Sequence, residues 1–313
     1  MTTAALAIDI MGGDYGIDHN LKAVRKFLTA NPNAQVILVG DTNLISAEFS
    51  ENPQITLIHA TDSILMDDSP VEALRIKKQS SMRIAIDLVK SGKAHAMLTA
   101  GNTGAIVALA KLCIGMQDGI KRPVLAAEGL DCNGRSRLFL DLGANVDCTA
   151  KMLHQFAILG SQCFQNLHSN VTAPKVALFN VGKEQVKGSV IIKDAVALLE
   201  QDANINYIGF VEGDSIVESD ADVIVVDGFT GNIALKSVEG TIKCMLGKQS
   251  IARDLILCIF KKLVKRRIAL MPGPAAILLG IKLPVFKVHG SASQRLFLSA
   301  LNLAYKSVEE ANN

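Results

Sequence analysis

Six short clusters along this chain combine glycine with residues able to bind or move charge. They are "MGGD" (11–14), "TAGNTGA" (99–105), "DLGANVD" (141–147), "NVGKEQVKG" (180–188), "DGFTGNIALK" (227–236) and "HGSAS" (289–293). Glycine lets a ligand approach backbone N–H groups closely, and a helix starting after such a turn adds its dipole, so the pattern suits an anion. Gly12, Gly13, Gly101, Gly104 and Gly143 are the expected points of close approach. Thr103 is expected to cap the helix after "AGN", and Asn102 and Asn145 are neutral donors. Lys183 and Lys187 lie four apart, so on a helix they would share one face. His289 could donate a hydrogen bond or shuttle a proton, and Asn232 is a further catalytic candidate. Asp9, Asp14, Asp141, Asp147 and Asp227 could gather round a magnesium ion or orient lysines and hold loop backbones; the second role is expected. Together these groups suit binding an anion and stabilising a developing oxyanion. Other chemistries lack their signatures. There is no Walker loop and no GxGxxG, no zinc-type histidine spacing, and no GxSxG elbow or cysteine after a glycine-rich strand end. No metal or cofactor is expected.

The elements that must carry these clusters alternate regularly. Expected strands are Leu6–Ile10, Gln35–Val39, Ile55–His59, Ala94–Thr99, Val124–Glu128, Ser136–Leu140, Lys175–Phe179, Ile205–Phe210, Val223–Val226 and Pro284–Val288. Most are unbroken apolar runs, as in strands covered on both faces. Amphipathic helical patterns fill most gaps. One opens at "SPVE", with Ser69 as cap, Pro70 at the first position and Glu72 closing a capping box, and is expected to run towards Gly92. Val124–Leu140 reads as a local hairpin. The alternation gives an α/β class with a doubly wound, mainly parallel sheet, read as one domain over 1–313. Every cluster follows a strand, where open α/β sheets collect their ligands, so one shared cleft is expected.

Composition narrows the function. The chain has 313 residues, a formal net charge of +2, and 11 Phe, 3 Tyr and no Trp. Neither a strong positive field nor stacking platforms point to nucleic acid. The six cysteines, at 113, 132, 148, 163, 244 and 258, are not closely paired and read as buried thiols of a reducing compartment. The N-terminus lacks a basic, cleavable leader, so a cytoplasmic protein is expected.

A segment at about 247–283 stands apart. Ile251, Leu255, Ile259 and Leu263 form an apolar stripe broadened by Ile256, Phe260 and Val264. Lys261, Lys262, Lys265, Arg266 and Arg267 gather at its end. This basic amphipathic helix suits core or dimer packing, an anionic membrane surface, or an acidic carrier protein.

The motifs "DIMGGD", "SSMRIAIDLV", "AGNTGAIVALA", "RPVLAAE", "DLGANVDC", "NVGKEQVKG", "YIGFVEG", "DVIVVDGFTGNIALKSVEG" and "VHGSA" occur in series. In that order they resemble the bacterial phosphate acyltransferases (the PlsX family) over essentially the whole chain. The stretch "PGPAAILLGIKL" departs from the glycine-rich form of that family. The resemblance implies an α/β/α sandwich like phosphotransacetylase and isocitrate dehydrogenase, and a homodimer. It implies that inorganic phosphate attacks the thioester of long-chain acyl–acyl carrier protein, giving acyl phosphate for the glycerol-3-phosphate acyltransferase of phospholipid synthesis. It also implies peripheral membrane association. Phosphate is itself a nucleophile, so the missing nucleophile motif fits direct displacement. Within the same fold type, a phosphotransacetylase using acyl-CoA or a divergent dehydrogenase are the alternatives.

Overall fold

The computed structural model describes residues 4–45, 47–131, 133–216, 218–246, 273 and 275–312. In chain order its strands are β1 (Ala5–Asp9), β2 (Gln35–Gly40), β3 (Ile55–His59), β4 (Ala96–Thr99), β5 (Val124–Leu130), β6 (Ser136–Leu140), β7 (Lys175–Phe179), β8 (Asn206–Val211), β9 (Val223–Val225), β10 (Ala276–Leu279) and β11 (Val285–Lys287). The helices are α1 (Ile17–Ala30), α2 (Ala47–Ser50), α3 (Pro70–Arg75), α4 (Ser81–Lys90), α5 (Thr103–Leu109), α6 (Ala150–Leu167), α7 (Val190–Gln201), α8 (Gly228–Leu246) and α9 (Gln294–Asn312). A π-helical turn, Ala110–Ile114, continues α5. All ten expected strands form, and an eleventh, β10, lies near the end of the 247–283 segment that the sequence reads as helical. The basic residues Lys261, Lys262, Lys265, Arg266 and Arg267 lie outside the described residues. Among the described residues no helix is long and apolar enough to cross a membrane.

The chain divides into two compact units. Met1–Pro123 and Pro274–Asn313 form the first, and Val124–Gly273 the second. Strand–helix alternation continues through both, which is why periodicity marks no boundary.

In the first unit, β3, β2, β1, β4 and β11 run parallel in that spatial order. β10 pairs antiparallel with β11. The apolar residues of β1 are buried, as the unbroken run requires. On one face, α1 presents Leu21, Val24, Phe27 and Leu28 at helical spacing, against α9 residues Phe297, Leu301 and Tyr305. The Phe27 and Tyr305 rings meet edge-on at 5.5 Å. Each such large apolar side chain contributes roughly 1.5–3 kcal/mol by leaving water.

The single helix expected from Ser69 to Gly92 is two helices. Ser69 caps α3 by accepting from the Glu72 N–H at 3.1 Å, as expected. Residues 76–80 then leave helical geometry because they are tied to the 62–68 loop. Lys77 Nζ donates to the Ser63 carbonyl and pairs with Asp68, the Ser81 N–H donates to the Asp62 carbonyl, and Ser80 caps α4.

In the second unit, β5 and β6 form the expected antiparallel hairpin. β6, β9, β7 and β8 follow as parallel neighbours. Ala177, Val211, Ala221 and Ile224 form a core here, with Phe139 and Phe179 against it. Asp131, buried beneath this hairpin, pairs with Arg135 and Arg137. Burial raises its pKa, but the N–H groups and guanidinium of Arg135 outweigh that and hold it below the usual carboxylate range.

Candidate active site

β1 has β2 on one side and β4 on the other, so its carboxyl end is the point where the order of the parallel strands reverses. Such points open a crevice for ligands. Asp9 ends β1 there and is 1% exposed. Its Oδ1 accepts from the Met11 and Gly12 N–H groups, both at 3.2 Å, and from Ser81 Oγ at 2.7 Å. Its Oδ2 accepts from Thr99 Oγ1 at 2.7 Å, and Thr99 Oγ1 in turn accepts from the Gly101 N–H. Burial raises the Asp9 pKa, against these four lowering bonds. No cationic side chain is among these partners. Asp9 is therefore a knot that fixes two glycine-rich loops against each other, not the orienter of a lysine. Asn20 of α1 ties the first loop from outside, donating to the carbonyls of Ile10 and Gly12.

The glycines of these loops serve that mutual approach. A Cβ on Gly12 would come within 2.8 Å of Asp9 Oδ2 and of the Gly101 nitrogen. One on Gly101 would meet Met82 Cε at 2.5 Å, and one on Gly104 would meet the Pro70 ring at 2.9 Å. The space expected for a ligand beside Gly101 and Gly104 is thus filled by α4 and α3. Gly13 has φ +100° and sits under Ala100 and Gly290. The cap of α5 is Asn102, with Thr103 the first helical residue. Asn102 Oδ1 accepts from the Ala105 N–H at 3.0 Å, and Nδ2 donates to the carbonyls of Leu65, Met66 and Asp68. Asparagine displaces threonine as cap because one amide both caps the helix and binds the incoming loop.

The last cluster closes on the same edge. Asp14 N–H donates to the Gly290 carbonyl at 2.9 Å, which places its carboxylate beside the His289 turn. His289 Nδ1 accepts from the Ser291 N–H at 3.2 Å. A neutral ring accepting at Nδ1 carries its proton on Nε2, so the imidazole is a donor there. Lys287, which the sequence reading did not select, is buried at the end of β11 and donates to the Val288 carbonyl at 3.0 Å. Parallel register aligns it with Thr99, and Thr99 with Asp9. Its signal was available: a charged residue inside an apolar strand.

The second unit repeats the first loop's device. Asp141, fully buried after β6, accepts at Oδ1 from the N–H groups of Leu125, Gly143 and Ala144. Oδ2 accepts from Asn145 N at 2.7 Å and Asn145 Nδ2 at 2.8 Å. Burial raises its pKa as well. Asp227 holds the start of α8 through the Thr230 N–H and hydroxyl, both at 2.8 Å. Asn232 donates to the Leu142 carbonyl and lies against Gly143, whose φ of +127° leaves no place for a side chain. Gly143, Asn145, Asp227 and Asn232 are thus one cluster. Asp147 is on the same loop.

Lys183 and Lys187 follow the carboxyl end of β7 in the second unit. They do not share a helical face, because α7 begins only at Val190. Asn180 holds the loop in turns by donating to the carbonyls of Gly182 and Lys187. Lys187 pairs with Glu184 at 2.8 Å. Among the described residues Lys183 has no carboxylate partner.

Burial pushes the thiols of Cys148 and Cys163 up to about 12 and raises that of Cys113. None is a ready nucleophile. Among the described residues no group of three or more His, Cys, Asp or Glu is placed to hold a metal ion.

Comparison with known proteins decides the family. The model of the family described as "Fatty acid synthesis protein" matches residues 4–312. The protein named phosphate acyltransferase of Shewanella woodyi is 42% identical over 318 residues, covering 97% of this chain and 93% of its own. That of Pseudomonas syringae pv. tomato is 42% identical with the same coverage. The chain belongs to this family. Its fold is also that of solved structures with little sequence in common. A branched-chain phosphotransacylase from Enterococcus faecalis has TM-score 0.64 at 20% identity, covering 97% of this chain and 99% of its own. A phosphotransacetylase from Streptococcus pyogenes has TM-score 0.63 at 16% identity, covering 100% and 96%. Members of the family named phosphate acyltransferase are acyl-transferring enzymes, and the chain is read as one.

Proposed function

We propose that this chain transfers a long-chain acyl group from acyl carrier protein to inorganic phosphate, releasing acyl phosphate and the free carrier thiol for phospholipid synthesis. Family membership over nearly the whole chain supports transfer of an acyl group to phosphate. The observation that supports it is that each unit by itself holds a buried aspartate, Asp9 in the first and Asp141 in the second, shaping a glycine-rich loop at the carboxyl end of a strand.

The reaction needs little covalent help from the protein. Phosphate attacks the thioester carbon directly, the carbonyl oxygen takes up negative charge, and the carbon–sulfur bond then breaks. A leaving thiol has a pKa of about 8.5, so departure as thiolate needs no strong acid. The enzyme must hold a dianion beside the thioester and stabilise the oxyanion. In this reading Lys183 and Lys187 supply positive charge and Asn232 a neutral donor in the second unit, and His289 donates from Nε2 in the first. Burial keeps the thiols of Cys113, Cys148 and Cys163 protonated, which favours single displacement over an acyl intermediate on any of these three. The proposal also includes a homodimer, a cytoplasmic location and contact of the basic 247–283 segment with an anionic membrane surface, where acyl phosphate would pass to a glycerol-3-phosphate acyltransferase.

The test is phosphate-dependent release of carrier-protein thiol from a palmitoyl thioester, with acyl phosphate detected by mass. Release without phosphate, or a trapped covalent acyl-protein, would overturn the mechanism. The fold shared with phosphotransacetylases keeps acyl-CoA as a second donor, so the assay is run with both. Faster turnover of the CoA thioester would favour that reading.

A further inference from the structure

A depression of about 460 Å3 lies in the first unit among α3, α4 and the π-turn after α5. Its apolar lining is Leu74 and the buried Cys113, with Val71 and Leu112 at the mouth. Its rim is Arg75, Arg83 and Lys90. Val71 is 57% and Leu112 66% exposed, so two large apolar side chains face water at the mouth. Cys113 lies eleven residues beyond Asn102 along α5 and its π-turn. At 1.5 Å per residue that is about 16 Å from the loop. None of these residues belongs to the clusters above.

The charges leave a definite imbalance. Arg83 is held by Asp87 at 3.0 Å, one turn along α4. Arg75 and Lys90 have no carboxylate partner among the described residues. Two positive charges therefore stand over an apolar hollow whose volume is within the roughly 300–1,000 Å3 of small-ligand sites. An apolar tail alone would not need the cations. A bare anion would not need the apolar floor, and an acidic protein would meet a flatter and wider surface.

We propose that this depression is a second binding site for a single-chain anionic amphiphile, with the doubly charged head of a long-chain acyl phosphate against Arg75 and Lys90. The chain lies along Leu74, Val71 and Leu112, and burial of Val71 and Leu112 supplies apolar contact that an empty site leaves in water. The choice of head group rests on the proposed function; the existence of the site does not.

The protein contains no tryptophan, so Leu112→Trp places a single reporter at the mouth. Hexadecylphosphonate, a stable mimic of acyl phosphate, is titrated below its micelle concentration beside palmitate, butylphosphonate and inorganic phosphate. The expected result is a saturable blue shift with hexadecylphosphonate and none with butylphosphonate or phosphate. Affinity is expected to fall at least about tenfold in Arg75→Glu/Lys90→Glu, with acyl transfer unchanged. Equilibrium dialysis with the unsubstituted protein gives an independent reading: two bound chains per protein, one of them lost in the double variant. Absence of a saturable shift together with no second bound chain would overturn the site, as would equal affinity in the double variant. Palmitate binding as tightly as hexadecylphosphonate would overturn the acyl phosphate assignment. Failure of the acyl-transfer assay alone would leave these binding results standing, so the two proposals fail separately.

Discussion

Replacing Asp9 by alanine removes the acceptor for four donors in a site closed to water. Two of them, the Met11 and Gly12 N–H groups, are fixed by the backbone. The other two, Ser81 and Thr99, are hydroxyls that can rotate towards other acceptors. A buried donor left unsatisfied costs about 1–3 kcal/mol. The two fixed donors set the scale, and loss of a buried carboxylate offsets part of it. Asp9→Ala is therefore expected to cost about 3 kcal/mol, a large share of the roughly 5–15 kcal/mol of a typical domain. Asp9→Asn should behave differently. Its Oδ1 keeps three of the four bonds, and its amide meets Thr99 Oγ1, whose hydroxyl must turn. About 1 kcal/mol is the expected loss. Urea unfolding at neutral pH measures both variants. A loss below about 1 kcal/mol for alanine, or equal losses for both variants, would refute the view of Asp9 as a loop knot. The pH dependence supplies a second check. The folded Asp9 pKa is raised above the unfolded value of 3.8. The folded state therefore holds this proton longer, and stability from the group is fullest below the unfolded pKa. It is lost as pH rises through the folded one. Asparagine lacks this slope, so the gap between Asp9→Asn and the unsubstituted protein should narrow as pH rises above about 4. A gap that widens would contradict the sign.

Three further outcomes are expected. Asn102→Ala should cost about 2–4 kcal/mol, because the α5 cap and three bonds to the 65–68 segment go together, and amide exchange should rise first between residues 62 and 68. Tyr207→Phe should leave stability unchanged or raise it by about 1 kcal/mol in urea unfolding, since the Tyr207 hydroxyl is buried without a hydrogen-bond partner among the described residues. Lys183→Ala and His289→Ala should each lower kcat/KM by about 10²-fold or more with an unchanged melting profile; retained activity would remove that residue from the proposed site.

The sequence determined much of this protein by itself. Unbroken apolar runs marked the strands because residues covered on both faces have no polar side to show. The Ser69 cap was legible because capping depends on a few adjacent residues. Motif order identified the family. Tertiary structure decided what local pattern could not. The split of the 69–92 helix depends on Lys77 reaching a loop several residues earlier, and the division into two units depends on a chain that leaves at Pro123 and returns at Pro274. The same holds for Asp9. Its spacing admits a metal ligand, a partner for lysine or a loop anchor. The choice is made by Ser81 and Thr99, which lie 72 and 90 residues away and bring hydroxyls, not cations, to a carboxylate excluded from water. A carboxylate's role is set by which donors replace its hydration, and those donors are gathered by the fold.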